Sequence, residues 1–385
     1  MEKYQGIIVN NNKNYGTENY APYYALSKWL IFCCFVMISG SVFAHEAWLL
    51  TPAQMIEWNL KPRPEIFTQF NYVNISIISF AILFFIFWIW LDRKDSRLLA
   101  PNLQTRLSSL GPYAALGVRW SLAVMLTIAA FGLNPRHGTD LFEASTLIAP
   151  DLEIRYLEGN WLWLTWAQAL AAFSFAIGLY VRLTAFVILF VTVIGLIVFG
   201  YQMWAYAGIV AASAVYLLLQ GGGVLYIRAW VPKQFEKIRS WLQSQSRQRA
   251  QFLTRVLTGI NLAYLGVEYK FFQPNLSMAF LELQNVYTFG LEHATFTFCM
   301  FVVETLAGIL MVFGVLVRPL SVILFFAFIV IAHITGENPI GHVIVYGILL
   351  SSIINGSGCW SAQKIKLSFA TIFTANKFDT PKETS

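Results

Sequence analysis

Glu304, His333 and His342 are where chemistry could rest in this sequence, because each is an ionisable side chain set in or against a long apolar run. Glu304 lies about eight residues inside the run Phe296–Phe313, roughly 12 Å from its end, so its carboxyl must be protonated or partnered. His333 closes the following run and His342 opens the one after, with Glu337 and Asn338 in the loop between them. Glu268 and Lys270 end the preceding run, and His293 stands just before the Glu304 run. All of these positions are expected to converge at one end of the chain's second half. Three roles are open to them. A protonatable Glu304 with His333, among Phe and Trp side chains, would suit a quinone head group, which needs an apolar slot and one or two proton-exchanging groups. Imidazole and carboxylate from His333, His342 and an acid would also suit copper, zinc or iron, although the spacing matches no metal motif. The third role carries no chemistry: Glu304 pairs with Lys270 or a histidine to join helices, and the other histidines are solvated.

The elements that must hold these residues are membrane helices. The chain has 385 residues with mean hydropathy +0.59, 57% hydrophobic and only 12% charged, which lies outside the range of an ordinary soluble domain. Ten apolar runs are long enough to cross a bilayer: Trp29–Ala44, Val73–Leu91, Gly117–Leu133, Trp161–Tyr180, Leu183–Phe199, Met203–Gln220, Phe252–Val267, Phe296–Phe313, Leu320–Ile334 and His342–Ile354. The expectation is an all-α polytopic membrane protein with about ten transmembrane helices. The net charge of +6 does not point to nucleic acid, because the basic residues fall in short stretches between the runs.

Those basic stretches set the orientation. Asp92–Arg106, Arg228–Arg255 and the C-terminal tail carry the lysines and arginines, so they are expected on the cytoplasmic side, together with both termini. The acidic loop Asn134–Asn160 then lies outside. Ala229–Arg249 reads as a basic amphipathic helix on the inner leaflet. The first run has two readings, a membrane helix or a signal peptide cleaved before His45. In the second reading the amine and imidazole of His45 could chelate copper. The four cysteines, Cys33, Cys34, Cys299 and Cys359, form no haem-attachment, Cys-x-x-Cys or iron–sulfur spacing. No covalent cofactor motif is present, and the cysteines read as packing residues.

A repeat organises the runs. Gly178-Leu-Tyr-Val-Arg182 and Gly314-Val-Leu-Val-Arg318 are 318 − 182 = 136 positions apart, and the same offset relates Arg119 to Arg255, Phe190 to Phe326 and Gly222 to Gly358. The main body is therefore two parallel four-helix copies, preceded by two leading helices. The expected boundaries are a cytoplasmic tail at 1–28, the leading helices at 29–114 with an outer segment at 45–72, and the first copy at 115–224. A basic linker follows at 225–250, then the second copy at 251–360 and a cytoplasmic tail at 361–385. Arg119, Arg182, Arg255 and Arg318 read as structural, capping the last carbonyls of their helices and snorkelling toward lipid phosphates. Ala171, Ala172, Ala307 and Gly308 are small enough for helices to approach closely.

Glu304-x-x-x-Gly308 and Gly314-x-x-x-Arg318, preceded by Gly266-Val-Glu-Tyr-Lys270, resemble the DoxX/DoxD family of small four-helix membrane proteins. The resemblance covers about residues 115–360. It implies a bacterial inner-membrane protein associated with redox enzymes, since that family includes a subunit of thiosulfate:quinone oxidoreductase. It further implies a redox-enzyme partner subunit and a quinone as possible ligand. The tandem arrangement and the two leading helices depart from the single-unit pattern.

The repeat supplies its own comparison. Subtracting 136 turns Glu304 into Gln168, Glu268 into Gly132, His333 into Ile197 and His342 into Tyr206, whereas the arginines match in both copies. Shared residues belong to the scaffold, and the groups found only in the second copy are the candidates for a site. Three functions compete: a redox subunit with catalytic Glu304, His333 and His342 and ligand-binding Glu268, Lys270, Glu337 and Asn338; a non-catalytic anchor or assembly module; and a transporter. The last ranks lowest, because no helix shows the central break expected of a midplane transport site.

Overall fold

A computed structural model describes residues 50–94, 101–134, 140–157, 159–227, 236–244, 247–335 and 338–359, all within one compact unit. Trp29–Ala44, His45, Cys33, Cys34 and Glu337 lie outside the described residues. Among those described there is no strand, only one isolated bridge between Thr146 and Glu153. The helices are α1 (Pro52–Asn59), α2 (Glu65–Thr68), α3 (Tyr72–Lys94), α4 (Pro101–Ser109), α5 (Gly111–Phe131), α6 (Leu162–Ile177) and α7 (Val181–Phe199). They continue with α8 (Tyr201–Gln220), α9 (Glu236–Ser244), α10 (Arg247–Leu265), α11 (Pro274–Leu283), α12 (His293–Phe313), α13 (Val317–Thr335) and α14 (Val343–Asn355). Among the described residues five helices, α3, α5, α7, α8 and α12, are long and apolar enough to cross a membrane, and three shorter apolar ones accompany them. α10 is excluded from that set by composition, carrying Arg247, Arg249 and Arg255.

The element bounds recur at the same offset. α7 and α13 begin at 181 and 317 and end at 199 and 335, so the offset of 136 holds at both ends. Each is entered through a tight turn with a left-handed glycine, Gly178 at φ 74° and Gly314 at φ 72°. Two residues on, Tyr180 and Leu316 are also left-handed. By the end of the fourth helix the register has slipped by one: Gly221 caps α8 and Gly356 caps α14, an offset of 135. Gly223, not Gly222, is thus the counterpart of Gly358; both are left-handed and both press on the first helix of their own copy, at Pro112 and Gln248.

The arginines hold these turns from within. Arg119 is fully buried and donates to the carbonyls of Gly222 at 2.9 Å and Leu225 at 2.8 Å. Arg255, its equivalent, donates to Ser357 at 3.0 Å, to Val312 at 2.5 Å and to Met311. Arg182 reaches the carbonyls of Leu218 and Leu219, and Arg318 those of Ile353 and Ile354. Arg119 and Arg255 therefore do not snorkel, and all four cap carbonyls of the fourth helix or its neighbouring turns, Arg255 also closing the end of α12, and none caps the end of its own helix. A guanidinium with five donors can close several orphan carbonyls at once, which is what a helix end inside an apolar body requires.

The two copies join by exchange. α8, the last helix of the first copy, lies along α10, the first helix of the second, and α14 lies along α5 in the same way. Glycines set the approach: a Cβ at Gly347 would lie 2.1 Å from Ser121 Oγ. Polar groups fasten it, since buried donors and acceptors must find partners. Gln251, Thr254, Thr258 and Asn261 form one buried stripe along α10. Across the seam Thr254 donates to Ala212 O and Asn355 to Tyr216 Oη at 2.9 Å, while Gln251 bonds Ser351 and Ser352 within the second copy.

The leading segment packs on the second copy. Asn275 Nδ2 donates to Lys61 O at 2.6 Å and Arg63 to Phe271 O at 2.7 Å, while Phe67 meets Phe298 edge-on at 5.4 Å. At the other end of α3, Asp92 accepts the Leu316 N–H and so caps the turn between α12 and α13.

Candidate functional site

Gly132 and Glu268 stand at equivalent positions, and the difference between them begins the site. Gly132 takes a left-handed φ of 62° and ends α5, a conformation that costs glycine little. Glu268 has a Cβ, and there α10 runs on as a π-helix over Gly266–Phe272. Such π-turns are rare and recur at functional sites. The turn carries Glu268, which accepts from Gln273 Nε2 at 2.9 Å, and Lys270, which is fully buried.

Glu304 lies against the same turn. A Cβ at Gly266 would meet Glu304 Cβ at 3.0 Å and Thr305 Oγ1 at 2.7 Å, so the glycine is what lets α12 come this close. Glu304 is 1% exposed and stands 304 − 293 = 11 residues into α12, about 16 Å from its start. Buried Asn275, Ser277 and Thr297 complete a polar cluster on three mutually packed elements, the π-turn, α11 and α12. Ser277 donates to Tyr269 O. Burying a lysine and a glutamate is tolerable only where the two charges compensate or the groups are neutral.

The first copy has a neutral version of this arrangement. Gln168, in place of Glu304, is fully buried and holds a loop that dips into the bundle: it accepts from Ile148 N at 2.9 Å and donates to Thr146 O at 2.8 Å. Leu147, Ile148, Ala149 and Leu152 of that loop are buried in the core. The rim of the loop is tied by Arg155, which donates to the buried Glu153 at 2.7 Å; that bond pushes the guanidinium pKa up.

No family model matches the chain, and no curated protein or solved structure matches it. The grouping of the expected residues therefore rests on their placement, and they fall in separate places. Lys270 and Glu304 are buried in the second copy's polar cluster, with Glu268 half-buried at its edge. His333 is exposed on α13, as is its equivalent Ile197 on α7, so it does not join Glu304. His342 is 3% exposed and turns the other way, into a cavity between the copies, with Phe328 at 5.3 Å. Asn338 is exposed and accepts from Ile340 N, closing the short turn before His342. His293 begins α12 and is half-buried. The expected convergence on one face is thus corrected. The faces of α12, α13 and α14 are fixed by which helix each packs against, and α14 packs across the seam. Among the described residues no three of His, Cys, Asp and Glu come together in a metal-holding group. Cys299 and Cys359 are free thiols.

Sequence reading missed Asn275, Ser277, Thr297 and the α10 stripe. Only the stripe left a signal, since 251, 254, 258 and 261 share one helical face.

Proposed function

We propose that this chain is an integral protein of a bacterial inner membrane, DoxX-like in each copy, in which all ten apolar runs cross the bilayer and both termini are cytoplasmic. The five long apolar helices and their exposed Leu, Ile, Phe and Trp side chains support the membrane reading. Its role is that of a redox-associated subunit whose second copy exchanges protons with a bound quinone at Glu304, with Lys270 balancing the carboxylate charge. Electrons come from a partner's cofactor, and the quinone takes up two electrons and two protons to become a quinol. One observation carries this reading: a buried lysine and a buried glutamate sit on a π-turn and its facing helix in the second copy only, where the first copy has Asn134 and Gln168.

The test is a quinone analogue bearing a photoreactive group, used on the purified protein in lipid nanodiscs. Cross-links within Gly266–Phe272 or α12, lost in Glu304→Gln while the protein stays folded, are the expected outcome. Cross-links confined to the lipid-facing side chains of α3 or α7 would overturn the quinone assignment.

A second reading has its own support. The segment from Lys61 to Phe67 covers the cluster with two hydrogen bonds and an aromatic contact, which suits a module that holds a partner at this end without turnover. Co-purification of a partner that survives Glu304→Gln, with no quinone cross-link, would favour it.

A further inference from the structure

The cavity that His342 enters is separate from the Lys270–Glu304 cluster, and neither side chain of that cluster lines it. It has a volume of about 50 Å³ and lies where the two copies meet, walled by Met125, Ile148, Val210, Leu262 and Leu324. Its polar rim is made of equivalent residues, Tyr206 from the first copy and His342 from the second, with Asn261 and Thr258 beside them. Voids of this size are few in a close-packed interior, and the fold here keeps one where its two halves meet.

A water needs about 10–15 Å³ and two to four polar partners, so space alone would admit several. Two of the four polar groups spend their only proton elsewhere. Tyr206 gives its proton to Asp151 Oδ1 at 2.5 Å, and Thr258 donates to Thr254 O at 2.8 Å. Asn261 donates to Ala205 O and accepts from Ile209 N, and the His342 ring lies 5.3 Å from that of Phe328. What remains facing the space is almost wholly hydrocarbon, and cavities of that kind stay dry and take up apolar guests. A quinone ring is too large, since sites for ligands of that class run to roughly 300 Å³ or more.

We infer that the seam cavity is a binding site for a small apolar molecule of the size of dioxygen. The guest sits among Met125, Val210 and Leu262, with the Tyr206 and His342 rings at its rim. Dissolved gas partitions into lipid more readily than into water, so such a site would fill from the bilayer. This inference does not rest on the quinone reading, and the failure of either leaves the other standing.

The experiment uses the full-length protein in nanodiscs with methionine methyl groups labelled with carbon-13. Met125 lines the cavity, whereas Met300 and Met311, also buried, do not. Dissolved dioxygen is paramagnetic and is expected to speed relaxation of the Met125 methyl by about threefold more than those of Met300 and Met311. Xenon, as a diamagnetic probe, should shift the Met125 signal alone. Ala205→Val, which fills the space from α8, should abolish both effects. Equal responses at the three methyls of the unmodified protein, or a Met125 response that persists in folded Ala205→Val, would overturn the assignment.

Discussion

Asn261 of the second copy occupies the place that a side chain at Gly208 of the first would need. A Cβ there would lie 2.5 Å from Asn261 Oδ1 and 2.6 Å from its Cβ. With that space open, the Asn261 amide donates to Ala205 O at 2.9 Å and accepts from Ile209 N at 3.0 Å. Residues 205 and 209 are the two partners of a single i to i+4 helical bond, so the side chain bridges that rung of α8 and ties the two copies together.

Gly208→Val should therefore loosen the seam. The added methyls meet Asn261 where nothing can yield, and the expected loss is about 1–3 kcal/mol. Thermal stability in detergent, followed by size-exclusion recovery after heating, measures it. Combining Gly208→Val with Asn261→Gly should restore part of the loss, because the clash is removed along with the bonds.

Lys270 and Glu304 should behave as a coupled pair. Lys270→Met alone leaves a buried carboxylate without its counter-charge, at an expected cost of about 3–5 kcal/mol, and Lys270→Met with Glu304→Leu should cost far less. The same stability measurement on the two single variants and the double gives the coupling. Additive losses would show that the two charges do not compensate each other.

Arg255→Lys and Arg119→Lys should each destabilise by about 2 kcal/mol or more, since an ammonium cannot span the several carbonyls that each guanidinium joins. The two effects should be of similar size, because the arginines hold equivalent turns. Arg182 and Arg318 are only half-buried, so their lysine variants should lose less.

Gln168→Leu strips the Ile148 N–H and the Thr146 C=O of their buried partners, at about 1–3 kcal/mol. The consequence should be local. Amide hydrogen exchange is expected to rise across residues 145–154 while α7 and α8 stay protected.

The sequence by itself determined the periodic features. The apolar runs, the 136-residue offset, the glycine that ends α6 and α12 and the arginine that follows it are local or self-referential patterns, and the backbone repeats them with one slip near Gly221 and Gly356. Charge in an apolar run also marked Glu304 and Lys270, because burial of an ion is costly wherever the chain goes. Tertiary structure alone decided which faces meet. A helix's apolar stripe says that it packs, not on what, and in a largely apolar helix even the stripe is faint. Hence His333 and His342, nine positions apart, end on opposite sides of the bundle wall, while Tyr206 and His342, from different copies, share one cavity. The exchange of α8 and α14 placed them there, and it depends on close approaches at Gly208 and Gly347, whose partners Asn261 and Ser121 lie far away in the chain.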